Sequence, residues 1–221
     1  MLKAAFSGPP HPSDPSTAIP LETVPEALPQ CLRQATRAAH RRLDHHPVMV
    51  GLLGRHVSAT QLGAALQGLC AAHAALEHWL TPHQADWPGW TPQDWRHTPR
   101  LLQALSQMSL RPAEPMPWSL PHSPGLALGV WYVVLGASLG ELAIARHLQA
   151  VAPDLPGHAL AQEARVVHQQ WAGFQDAATS AGQEATVREQ AICGALAAFD
   201  AIAVHLDRRL PQDLCRRDKR L

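Results

Sequence analysis

Leu32-Arg-Gln-Ala-Thr36-Arg-Ala-Ala-His40-Arg-Arg-Leu-Asp44-His-His-Pro47-Val-Met49 sets apolar residues at helical spacing and a histidine between a cation and a carboxylate. Leu28, Leu32, Ala35, Ala39 and Leu43 share one face of a helix that starts at Glu26 and is closed by Pro47. At about 100° per residue, His40 lies about 120° from Leu28, on the margin of that face. Arg33 falls within about 20° of His40, and Asp44 follows at i+4. A neutral imidazole can ligate iron through one nitrogen while a carboxylate holds its other N–H, so this band suits a metal ligand. It equally suits a boundary histidine with a surface ion pair.

The same periodicity continues outward. A short helix runs through Val50 to Leu53 and stops at Gly54. Ser58-Ala-Thr-Gln61 has the spacing of a capping box and opens a long helix to about Leu80. Residues 82–98 form a loop rich in proline and tryptophan (Trp87, Trp90, Trp95), open to a docking, lid or satellite-core role. Thr98-Pro99 predicts an N-cap and a first helical proline, with the helix ending near Gln107. Further helices are expected over 125–150, 157–179 and 183–209. The expected architecture is all-α, a single-domain bundle of about seven helices spanning residues 26–210. Residues 1–25 are expected to be a disordered or loosely docked proline-rich tail, and residues 211–221 a polar one.

Composition narrows the function. Lys plus Arg and Asp plus Glu both number 18, so no basic field invites nucleic acid or an acidic membrane. The stretch from Ser119 to Gly140 carries no Asp, Glu, Lys or Arg, but Pro121, Pro124 and its glycines interrupt it and Glu141 closes it. With no basic-then-hydrophobic leader, the expectation is a soluble cytoplasmic protein. Cys31, Cys70, Cys193 and Cys215 show no CxxC spacing and suggest separate reduced thiols, with Cys70 and Cys193 in the core. Most of the 14 histidines are expected to be solvated, His45 and His46 among them. His73 and His78 flank Glu77 without sharing a face, and no role is assigned to them.

Gly125, Gly129, Gly136 and Gly140 form a stripe on the predicted 125–150 helix. Each helical glycine costs about 1 kcal/mol relative to alanine, so something must approach the backbone along this line. A flat macrocycle fits, and so does a closely packed neighbouring helix.

The first run resembles the proximal helix of the heme oxygenase family, Leu-x-x-Ala-Thr-x-x-x-His, then an acidic residue and a His-Pro-hydrophobic-Met turn. Gly129-Val-Trp-Tyr132-Val-Val-Leu-Gly136-Ala-Ser138-Leu-Gly140-Glu-Leu-Ala-Ile-Ala-Arg146 resembles that family's glycine-rich distal helix. Weaker matches at Ala74–Glu77, Leu101–Leu105, Trp171–Phe174 and Ala197–Phe199 keep the family's order across residues 28–207. The resemblance implies a helical sandwich with heme between the first helix and a kinked glycine helix. His40 would be the proximal iron ligand and Asp44 the group that orients it. Arg33 would face a propionate, Gly136 and Gly140 would admit the macrocycle, and Phe199 would line the pocket. It further implies ring opening to biliverdin, carbon monoxide and ferrous iron, with molecular oxygen and an external electron donor such as a reductase or ferredoxin. A bilin-binding photoreceptor is a conceivable recipient of the product.

The sequence departs from the family's pattern on the distal side. Ala137 stands where some members carry an aspartate, Leu135 where bacterial relatives often carry Glu, and Glu141 where a second glycine is usual. Ala172 and Asp176 occupy places where propionate-anchoring bases are expected. These changes keep open a non-catalytic heme protein that stores, traffics or senses heme. A di-iron oxidase would need Glu-x-x-His pairs, which the sequence lacks, and a thiaminase-like hydrolase would need a catalytic cysteine. A ligand-free helical interaction module is the remaining rival.

Overall fold

The computed structural model describes residues 27–86, 94–160 and 162–210. The two tails lie outside these residues, as do Trp87 and Trp90. Eight α-helices are present among the described residues and no strand, so the chain is all-α as expected.

The first helix is interrupted. α1 (Leu28–Ala35) and α2 (Arg37–Asp44) meet at Thr36, whose buried hydroxyl donates to the Leu32 carbonyl at 2.7 Å. This back-bonding to the preceding turn loosens the helix locally, and sequence periodicity does not reveal it. The backbone bond from the His40 N–H to the Thr36 carbonyl (2.9 Å) still carries the register across. α3 (Pro47–Val50) follows, then a single 3₁₀ turn, Gly51–Leu53. Contrary to expectation, His46 is buried. Its Nδ1 accepts from the Val48 N–H at 3.2 Å, and its Nε2–H donates to Asp207 at 3.0 Å, so it caps α3 and ties it to the last helix. His45 is exposed, as expected.

α4 (Ala59–Leu80) starts at the predicted Ser58–Gln61 capping box, with both reciprocal bonds formed. α5 (Thr98–Gln107) begins one residue earlier than the proline suggests. Its N-cap is His97, and the Glu77 carboxylate of α4 accepts the His97 and Thr98 N–H groups in place of a local cap. α6 (Pro124–Val151) is one continuous helix capped by Ser123. The expected 157–179 helix resolves into a 3₁₀ turn, Gly157–Leu160, and α7 (Ala164–Ala181), before α8 (Ala185–Asp207).

α6 and α8 form the central pair. A side chain on Gly129 would run into the Ala191 carbonyl, and one on Gly194 into the Leu126 carbonyl, so the two backbones touch. Buried Ala191, Ala195 and Ala198 keep the rest of that seam thin. α4 packs on α8 and α5, while α7 packs on α6. α1 and α2 lie on α8, and α1 also reaches α7. Leu28 and Leu32 are wholly buried there, each contributing about 1.5–3 kcal/mol by leaving water. α6 and α8 are long and apolar enough to cross a membrane, but 61% and 56% of their most apolar windows are buried in the bundle. Trp95 is buried and meets Trp131 edge-on at 4.5 Å, which makes it core rather than docking surface.

Candidate functional site

His40 projects from α2 with its ring 63% exposed. Its Nδ1 lies 2.9 Å from Asp44 Oδ2. A carboxylate can only accept here, so Nδ1 carries the proton, and in the neutral ring Nε2 keeps its lone pair. The ring stands edge-on to Phe199 of α8, with centroids 5.9 Å apart at 65°. Arg42 and Asp200 form an ion pair that fastens α2 to α8 beside this contact. The structure therefore brings together three of the expected residues, His40, Asp44 and Phe199. Arg33 is exposed on α1, on the other side of the Thr36 break.

The glycine stripe of α6 divides into two halves with different duties. Gly125 and Gly129 are filled from outside by Gln190 and by the α8 backbone, which is helix packing. Gly136 has the Trp171 ring 3.6 Å from where a side chain would start, an ordinary contact. Gly140 has nothing within 4 Å and is exposed. A helical glycine with open space above it gains nothing from its missing side chain inside this bundle. His40 on α2 thus offers an exposed imidazole, and Gly140 marks a place on α6 where the backbone is uncovered. Trp171 itself packs on Phe174 and Tyr132 (centroids 5.5 and 5.6 Å apart), and Ala172 and Asp176 are exposed beside it.

A second cluster escaped the sequence. Glu141, notable only as a replaced glycine, is buried against α5. Its Oε1 is 2.8 Å from His97 Nδ1, and its Oε2 accepts from Arg100 at 3.2 Å. His97 is fully buried and donates Nε2–H to the Val134 carbonyl at 2.8 Å. His73 stacks on His97 at 4.1 Å. Burial, then the electrostatic influence of His97 and Arg100, lowers the His73 pKa well below its ordinary value. The available signal was the i,i+4 pair His73 and Glu77 in an otherwise apolar helix.

The thiols divide as well. Cys70 is buried, and burial followed by the Glu77 charge pushes its pKa up to about 11. Cys193, expected in the core, is exposed because it falls on the outer face of α8. Iodoacetamide at pH 8 should therefore label Cys193 in the native protein and spare Cys70, as peptide mass spectrometry would report. Rapid native labelling of Cys70 would instead revive a cysteine-based hydrolase.

No protein-family model and no curated protein sequence matches the chain. Solved structures do. The fold is similar to that of heme oxygenase from Neisseria meningitidis, solved with NO and CO bound (TM-score 0.68, 19% identity, 83% of this chain and 92% of that one). It is also similar to heme oxygenase from Leptospira interrogans (TM-score 0.66, 13% identity, 83% and 100%). A third is heme oxygenase-2 from Synechocystis, in complex with heme and NO (TM-score 0.64, 18% identity, 83% and 85%). The chain has the heme oxygenase fold.

Proposed function

We propose that this chain binds heme through Nε2 of His40 and opens its ring with oxygen and an external reductant, as a biliverdin-forming heme oxygenase. The observation that carries this is the exposed His40 imidazole, proton-locked by Asp44 and backed by Phe199. The fold neighbours solved with heme support the same ligand class. Asp44 fixes the tautomer and raises the basicity of Nε2. Phe199 limits the tilt of the His40 ring from the α8 side. Gly140, with open space where a side chain would be, lets a macrocycle meet the α6 backbone, and Gly136 does so beside Trp171. Arg33, exposed one helix earlier, is the cation offered to a propionate. Bound heme supplies both the oxygen-activating iron and the carbon skeleton that is cut.

The test is single-turnover chemistry. Hemin-loaded protein given ascorbate in air should lose its Soret band, gain bile-pigment absorbance and release about one carbon monoxide per heme, the stoichiometry of opening one ring. A Soret band that persists without bile pigment would overturn ring opening and favour non-catalytic heme binding. That second reading draws on the distal side, where Leu135 is buried, Ala137 offers no polar group, and Glu141 is turned inward, bonded to Arg100 beside His97.

A further inference from the structure

We propose that His73, His97 and Glu141 form a buried site for one divalent first-row transition-metal ion, separate from the iron of a bound heme. The three residues come from different elements, α4, the N-cap of α5, and α6. Their candidate ligand atoms all lie within 4.8 Å of one another, and all three side chains are buried. Two imidazoles and one carboxylate are a set that zinc and ferrous iron both accept.

The hydrogen-bond pattern points to a cation. His97 spends its Nε2–H on the Val134 carbonyl, the arrangement by which a ligating histidine is usually oriented. As a neutral ring, it therefore turns the Nδ1 lone pair toward Glu141. Oε1 of Glu141 stands 2.8 Å from that nitrogen yet makes no hydrogen bond. The Arg100 guanidinium, 3.3 Å from that Nδ1 and 3.2 Å from Oε2, is the positive group that now serves both residues, and an ion seated between Nδ1 and Oε1 would take over its place at Nδ1. His73 Nδ1 is also buried with no hydrogen-bond partner.

Charge favours the same conclusion. Glu77 and Glu141 are both buried, and among the described residues Arg100 is the guanidinium bonded to Glu141, so these three groups carry a net negative charge. Arg100 holds Oε2, which leaves Oε1 to bind in monodentate fashion. Bonds of about 2.0–2.1 Å at tetrahedral angles require ligand atoms about 3.3 Å apart, so the atoms that lie up to 4.8 Å apart here would draw in on binding.

The test uses full-length, untagged, heme-free protein stripped with chelator and titrated with Co2+. One equivalent should bind with visible ligand-field bands, and zinc or anaerobic ferrous iron should displace it. His97→Ala and Glu141→Gln should each weaken binding at least about tenfold. Should either variant fail to fold, His73→Phe keeps a flat ring stacked on His97 while removing a ligand, and should show the same loss. His45→Ala and His78→Ala, at exposed positions, should bind as the parent does. No stoichiometric uptake, or uptake that survives all three cluster substitutions, would overturn the site. So would nitrogen NMR showing His97 doubly protonated at pH 7 and unchanged by Co2+, because a proton would then fill the gap.

Discussion

Substituting His40 by alanine should remove the wild-type Soret complex with hemin and lower heme affinity at least about a hundredfold, while leaving the fold intact. Loss of a ligand cannot cost less than loss of the group that orients it, and the latter typically costs about 10–100-fold. Asp44→Asn should accordingly weaken binding by about tenfold, because the amide can no longer hold the Nδ1 proton as a charged acceptor. Both side chains are more than half exposed, and substitutions at such positions change stability by about 0.5 kcal/mol or less. A melting curve therefore separates ligation from folding. Imidazole added to the His40→Ala protein should restore part of the Soret signal by filling the vacated position. An unchanged Soret complex in His40→Ala would move the iron to another of the histidines.

The two halves of the α6 glycine stripe should respond in opposite directions to one added methyl group. Gly129→Ala should destabilise the protein by about 3 kcal/mol, since its side chain would meet the Ala191 carbonyl and the Ala195 nitrogen, and backbone cannot swing aside. Gly140→Ala should stabilise the heme-free protein by about 0.5–1 kcal/mol, because the site is open and alanine favours helix. Urea unfolding curves read both changes. Hemin binding then inverts the comparison. Gly140→Leu should fold well and bind heme poorly, whereas a folded Gly129 variant should bind it normally. Equal heme affinity in Gly140→Leu and the parent would mean that the ring does not lie on this backbone.

Much of this was legible in the sequence because it depends on local spacing. The 3.6-residue period gave the helices, Ser58 and Gln61 the start of α4, and the i,i+4 step the His40–Asp44 bond. The glycine stripe was legible as a line of close approach, but not as two lines. What fills the space above Gly129 is α8, some 60 residues further along the chain, and no local pattern encodes that encounter. Thr36 was hidden for a different reason. The interruption at Thr36, where the hydroxyl bonds back to Leu32, leaves the apolar period untouched. The Glu141 cluster required four separated positions, 73, 97, 100 and 141, to converge. His46 likewise needed Asp207, across the whole domain, to become a buried cap instead of a solvated neighbour of His45.

The most direct measurement is a crystal structure of the protein loaded with hemin. The iron is expected on Nε2 of His40 at about 2.0–2.1 Å, taking the usual metal–imidazole bond length. Asp44 should still hold Nδ1, and the opposite face of the ring should lie against the backbone at Gly136 and Gly140. Iron bound to any other histidine, or a ring seated away from Gly140, would contradict the assignment of this site.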